Sequence, residues 1–252
     1  MSYDLIATEF LVRADILAPG LVEGLYLQGS VALGDYHPGV SDIDFVAVTQ
    51  DPADPALVRE IHHGMPRRPH FDGLYVTWED LRADPSTVPP GPAVHENRIL
   101  PSSRFERHLV TWHVLAQAGV ALRGPAKPEI FTDWPALAAS TRENLESYWR
   151  PWSQSIRRHP GSLTSWAVSW GVLGVTRLRH SLVLGRVTSK TEAGRYALRS
   201  YPGWDRILEE ALRLRCGGAP QYRNPFHRRT DFLGYLDYAL HPTAPPDTPL
   251  LH

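Results

Sequence analysis

Apolar positions fall in helical rhythm at Leu5, Ile6, Phe10, Leu11 and Ile16, which predicts a first helix over residues 3–18. Leu25, Tyr26 and Leu27 then form a short apolar strand. Gly29-Ser30 ends it, and the residues after can open a helix. Asp42-Ile43-Asp44 begins a second strand that runs through residues 45–48. Asp54-Pro55 marks a helix start, with Leu57, Val58 and Ile61 inward and residues 62–64 as its end. Residues 71–77 read as a third strand, and alternation puts Asp72 on one face with Leu74 and Val76. Residues 83–92, rich in proline and polar side chains, read as a loop. A helix is expected over 102–118, with Phe105, Leu109, Trp112 and Leu115 inward, and a short strand over 120–122.

The second half changes character and reads as almost all helix. Asp133 and Pro135 start one helix, expected to stop at Trp149 ahead of Pro151. A long apolar helix runs from Gly161-Ser162 to about Leu184, where Gly185 closes it. Ser189-Lys190-Thr191-Glu192 has the form of a capping box, opening a helix that ends at Tyr201-Pro202. Another helix spans 205–215, and Asn224-Pro225 opens the last, which ends before Pro242; the tail from Thr243 is expected to pack poorly. The pattern predicts an α/β (α+β) chain: a small mixed-sheet domain over residues 1–132, then an all-helical domain over 133–252.

Composition narrows the class. The 252 residues suffice for two modest domains, and no apolar run is long enough to span a bilayer. Residues 1–20 lack a signal peptide's apolar core, and Cys216 is the single cysteine, so the expected setting is a reducing cytoplasm. A formal net charge of −1 supplies no global field to draw in nucleic acid. Scattered histidines such as His62, His63 and His70 lack zinc spacing, and Arg67-Arg68 and Arg228-Arg229 read as solvated faces. Trp166 and Trp170 read as core, with Trp152 able to line a cleft.

The chemistry concentrates in residues 24–48. Asp42 and Asp44 lie two apart on a strand and so share a face. Two carboxylates so placed repel unless a cation lies between them, and hard oxygen ligands suit Mg²⁺, which completes its shell with phosphate oxygens and water. Gly29 lets a phosphate approach the backbone, Ser30 adds a hydroxyl, and the following N–H groups can face an anion. Asp72 is a charge on an apolar face and needs a partner, which a shared metal would supply.

Gly29-Ser30, a gap of about a dozen residues, then Ser41-Asp42-Ile43-Asp44 on a strand resembles the signature of the nucleotidyltransferase superfamily. A second stretch strengthens this. Arg177, Ser181, Gly185, Ser189, Lys190, Ala193, Tyr196 and Pro202, with Gly124-Pro125 upstream, resemble the streptomycin- and spectinomycin-modifying adenylyltransferases, with their helical C-terminal domain. The resemblance implies transfer of AMP from ATP to a hydroxyl of an aminoglycoside or aminocyclitol, with the helical domain closing over the cleft. It implies two Mg²⁺ ions on Asp42, Asp44 and Asp72, and Asp72 as metal ligand or general base. Gly29, Ser30, Ser41, Arg177 and Lys190 would hold the nucleotide. Glu96 is a reserve for the base. The near-neutral charge argues against polymerase or tRNA-modifying members.

The chain departs from the pattern at two places. The family usually carries glutamate where Asp72 stands. The acidic residues that hold cationic drugs have no match, Ala167 and Val168 standing there instead. Two alternatives therefore stay open: an adenylyltransferase acting on a protein or metabolite, and a non-catalytic nucleotide-binding module.

Overall fold

The computed structural model describes residues 2–241 and divides into two compact units, Met1–Asp133 and Trp134–His252. Pro242 and the tail from Thr243 lie outside the described residues. No described helix is long and apolar enough to cross a membrane.

The first unit runs α1 (Tyr3–Leu17), β1 (Gly24–Leu27), α2 (Gly29–Ala32), β2 (Ile43–Thr49), α3 (Pro55–His62), β3 (Phe71–Thr77) and α4 (Trp78–Arg82). It continues with β4 (Gly91–His95), β5 (Arg98–Ser103), α5 (Leu109–Ala118) and β6 (Val120–Arg123). The strands form one mixed sheet in the order β5-β4-β3-β2-β1-β6. Among the described residues only β2 and β3 pair in parallel, and the other pairings are antiparallel. The three central strands are buried on both faces, which is why they read as nearly continuous apolar runs. Phe10, Phe45, Ile61 and Phe71 pack on one face, and Val46, Leu74, Leu81 and Trp112 on the other. Each such side chain contributes about 1.5–3 kcal/mol through removal from water.

Two elements differ from the expected pattern. Residues 91–103 form a hairpin, β4 and β5, so the loop is shorter and α5 starts later than the apolar rhythm suggests. Its turn is Glu96-Asn97, at φ +49° and +61°, with His95 paired to Arg98. A two-residue turn with both φ positive normally carries glycine, so its sequence signal is faint. Helix α4 lies directly after β3, opened by a capping box between Thr77 and Asp80.

The second unit comprises α6 (Trp134–Asn144), a π-helical turn (Leu145–Trp149), α7 (Arg150–Arg158) and a 3₁₀ turn (Pro160–Leu163). Then come α8 (Ser165–Leu184), α9 (Lys190–Ser200), α10 (Asp205–Arg215) and α11 (Pro225–Ala239). The helix expected to stop at Trp149 continues through Pro151. The π turn changes the local hydrogen-bond ladder: the Arg150 N–H donates five residues back to the Leu145 carbonyl, and Pro151, which has no N–H, follows directly.

Two surface and core expectations reverse. Arg228 is buried, not solvated: it is 6 % exposed and its Nη1 lies 3.2 Å from Oε1 of the fully buried Glu210. The second Glu210 oxygen accepts the Gln221 N–H at 2.8 Å, so both carboxylate oxygens are engaged. Trp166 is 64 % exposed, not core, its ring stacked 5.8 Å from that of Trp170. Trp170 is the one that packs on the core, along with Trp152.

Candidate active site

The end of β1 and the start of β2 are fastened together. Gln28, the N-cap of α2, donates its N–H to the Asp44 carbonyl at 2.9 Å. Gly29 follows at φ +58°, and a Cβ there would sit 2.0 Å from Asp44 Oδ2. Conformation and space both demand glycine, so the bare backbone of this turn lies against the carboxylate. Beside it, the Ser30 hydroxyl is shut off from solvent and has no hydrogen-bond partner. An orphaned hydroxyl at such a place is costly unless a ligand satisfies it. Helix α2 has only four residues, so an anion here would be held by individual N–H groups and Ser30 more than by a helix field.

Ser41 closes the loop that precedes β2. Its Oγ accepts the His37 N–H at 3.0 Å and its own N–H donates to the His37 carbonyl at 2.9 Å. Its contacts within the protein hold the approach to Asp42. Asp42 itself is exposed and stands just ahead of β2, Ile43 between it and Asp44 being fully buried. The Tyr36 phenol is pushed up mainly by burial and then by the negative charge of Asp42.

Asp72 sits across the parallel register from Asp44. Gly73 beside it is another position without room for a side chain: a Cβ would lie 2.1 Å from the Phe45 carbonyl oxygen. The partner that Asp72 requires comes from the β4–β5 hairpin. Its Oδ1 accepts the Glu96 N–H at 2.9 Å, and its Oδ2 lies 3.1 Å from His95 Nδ1. Burial raises its pKa above the usual carboxylate value; the Glu96 N–H and His95 pull it partly back. Glu96, held in reserve as a base, thus meets Asp72 through its backbone. The His95 ring stacks against Phe105 at 4.5 Å.

Among the described residues no group of three or more His, Cys, Asp or Glu converges on a metal position. The donor set still fits Mg²⁺, which commonly takes one or two carboxylates and draws its other ligands from phosphate and water. Gly29 brings the backbone of the turn into contact with the Asp44 carboxylate, so a phosphate held by that backbone would lie beside the carboxylate.

In the second unit, Arg177 and Lys190 belong to one junction. Thr188 Oγ1 donates to the Arg177 carbonyl at 3.4 Å and lies 3.0 Å from Ser181 Oγ, folding the turn back on α8. Lys190 opens α9, with its Nζ 4.6 Å over the Trp170 ring. Half of the expected capping box forms: Ser189 Oγ accepts the Glu192 N–H at 3.1 Å. The Glu192 carboxylate goes to Arg186.

Sequence reasoning missed Gln28, His95 and Glu106. Gln28 is 4 % exposed and precedes Gly29, which was the available signal. Glu106, whose Oε2 accepts from Gln28 Nε2 at 3.2 Å, sits at φ +59° in a loop conformation that no local pattern announces.

Residues 12–70 match the family model described as nucleotidyltransferase domain. Over those residues the chain is similar to nucleotidyltransferase domains. That match ends just before Asp72 but contains Gly29, Ser30, Asp42 and Asp44. No curated protein matches the chain. Among solved structures, the fold is similar to that of spectinomycin adenyltransferase AAD(9) from Enterococcus faecialis, solved with ATP and spectinomycin. The TM-score is 0.62 at 14 % identity, over 95 % of this chain and 99 % of the other. The likeness is one of fold, and it extends the resemblance beyond the matched domain.

Proposed function

We propose that this protein is an adenylyltransferase that moves AMP from ATP to a hydroxyl of a small molecule. The observation that carries this reading is the approach of Gly29 to Asp44, with the unpartnered Ser30 hydroxyl beside it. Asp42 and Asp44 would hold Mg²⁺ against the nucleotide's phosphates, with Gly29 and Ser30 cradling them. Bound Mg²⁺ would supply charge neutralisation for the pyrophosphate and acidify the acceptor hydroxyl. Asp72 would receive the acceptor's proton. Its engagement by His95 and the Glu96 N–H favours a fixed base over a third metal ligand. Arg177 and Lys190 would add cationic contacts to the triphosphate.

The acceptor in this reading is an aminoglycoside or aminocyclitol, by likeness to the streptomycin- and spectinomycin-modifying enzymes. One observation favours a different acceptor. Ala167 and Val168, where those enzymes carry drug-holding acids, are fully buried, and α8 contains no Asp or Glu. A cellular metabolite or a protein hydroxyl would not need them. Incubation with ATP, Mg²⁺ and a panel of aminoglycosides, read by mass, decides. An added AMP on one member supports the first acceptor class. Tight Mg-ATP binding with no modified drug supports the second, and absence of Mg-ATP binding removes the whole reading.

A further inference from the structure

The loop between β5 and α5 is held by two arginines. Arg104 donates to the carbonyls of Pro85, Ser86 and Val88 at 2.9–3.1 Å. Arg107 is 5 % exposed and donates to the carbonyls of Ser103 at 3.1 Å and Tyr75 at 2.7 Å. Between them Glu106 is forced to φ +59°, a conformation that costs a non-glycine residue about 1–2 kcal/mol. Its Oε2 accepts from Gln28 Nε2 at 3.2 Å and from the Thr111 hydroxyl, with His108 Nε2 3.7 Å away. Gln28 is the residue whose N–H reaches the Asp44 carbonyl and whose successor, Gly29, lies against the Asp44 carboxylate.

We propose that Glu106 is a positioning residue of the nucleotide site. Its carboxylate anchors the Gln28 side chain and so fixes the Gly29-Ser30 turn at its close spacing from Asp44. Gln28 is tied at both ends, by its backbone to β2 and by its amide to Glu106. Without the side-chain tie the turn is held by backbone bonds alone, from Gln28 to Asp44 and from Leu33 and Asp35 to Gly29 and Ser30, and its spacing from the carboxylate loosens. Displacements of about 1 Å in such arrangements cost about a hundredfold in rate. The inference rests on reading Gly29, Ser30 and Asp44 as the nucleotide turn.

Mg-ATP binding by calorimetry, together with thermal unfolding of the same samples, tests it on the full-length chain. Glu106→Gly removes the carboxylate but relieves the backbone, which offsets part of the bonds lost to Gln28 and Thr111, so the variant should stay folded at the titration temperature. Mg-ATP affinity should fall by about tenfold, a change of about 1.4 kcal/mol. Glu106→Gln keeps an amide oxygen that can accept from Gln28 and should restore affinity to within about threefold, a loss of less than 1 kcal/mol. Gln28→Leu should weaken binding as much as Glu106→Gly, and the double variant should be no worse than either alone. Wild-type affinity in Glu106→Gly, or two losses that simply multiply, overturns the proposal while leaving the nucleotide site in place. If the wild-type protein itself fails to bind Mg-ATP, the parent reading falls and this inference with it.

Discussion

Asp44 and Asp72 stand opposite each other in the parallel register of β2 and β3, and the fold treats them differently. The β4–β5 hairpin closes on Asp72 with an imidazole and an N–H, whereas the glycine turn after β1 is pressed against Asp44. Two carboxylates on one sheet face are thereby given separate environments, which is how one site can assign them separate tasks.

The proposed metal pair, Asp42 and Asp44, gives the most direct prediction. Asp44→Asn or Asp42→Asn should remove most AMP transfer, since losing a metal contact costs several kcal/mol of transition-state stabilisation. Like-charge repulsion also falls, so the melting temperature without metal should stay level or rise. Rates at saturating Mg²⁺ and a melting curve check both halves.

Gly29→Ala probes the turn. The new methyl meets Asp44 Oδ2 at 2.0 Å and the backbone stays at φ +58°. The conformational part alone costs about 1–2 kcal/mol. Because the methyl displaces Asp44, Mg-ATP binding should be lost at temperatures where the variant is still folded. Binding by calorimetry beside circular dichroism separates the two effects.

Much of this site was legible because its parts are local in sequence. Gly29-Ser30 and Asp42-x-Asp44 sit within a strand–turn–strand unit whose spacing carries the chemistry. Four of the six strands and the helical second half followed from periodicity, while the β4–β5 hairpin did not. What could not be read is what depends on distant contacts. Asp72 clearly needed a partner, yet nothing in its neighbourhood named His95, which lies 23 residues on. Arg228 looked solvated because Glu210, its buried partner, belongs to another helix. Pro151 looked like a stop because a π turn leaves no signature in composition. Glu106 was hidden because arginines on either side of it impose its loop.

Stability should depend on pH through His62. Its ring lies among Phe10, Phe45 and Phe71, with Nε2 2.9 Å from the Tyr75 hydroxyl. Burial, and then the charge of Arg13, lower its pKa to about 3. Between that value and the ordinary 6.5 the unfolded chain binds a proton that the folded chain does not. Stability is therefore present above pH 6.5 and lost as pH falls toward 3, by up to about 1.4 kcal/mol per pH unit. His62→Gln keeps a polar contact for Tyr75 without the titration. Urea midpoints from pH 4 to pH 8 should fall more steeply with acid for the wild type than for the variant.

Lys190→Ala separates nucleotide contact from packing. Loss of the cation over Trp170 should cost about 0.5–1 kcal/mol of stability at most. If Lys190 also meets the triphosphate, Mg-ATP affinity should fall about tenfold or more, beyond what that packing loss explains. Lys190→Arg keeps a cation and should recover part of the affinity. Calorimetric titration of both variants distinguishes the two contributions.

Asp72 decides how the acceptor is activated. Asp72→Asn can preserve both hairpin contacts. Its amide oxygen can accept the Glu96 N–H, and its NH₂ can donate to His95 Nδ1 in the other tautomer. The fold should therefore survive, and any loss belongs to the chemistry. If Asp72 is the base, turnover falls by about a hundredfold or more while Mg-ATP affinity stays within about twofold. Raised Mg²⁺ then gives no rescue. If it is a metal ligand, Mg²⁺ dependence shifts to higher concentration and excess Mg²⁺ restores part of the rate. Because burial raises its pKa, the wild-type rate should decline with acid at a pH above the ordinary carboxylate value of 3.8, and that limb should vanish in the variant. Asp72→Glu tests reach. Its extra methylene extends the carboxylate farther from β3, so activity that is kept or raised places the proton-accepting atom farther from β3 than aspartate extends. Transfer rates against Mg²⁺ for all three proteins, at two pH values, distinguish these outcomes; an Asn variant equal to wild type throughout removes Asp72 from both roles.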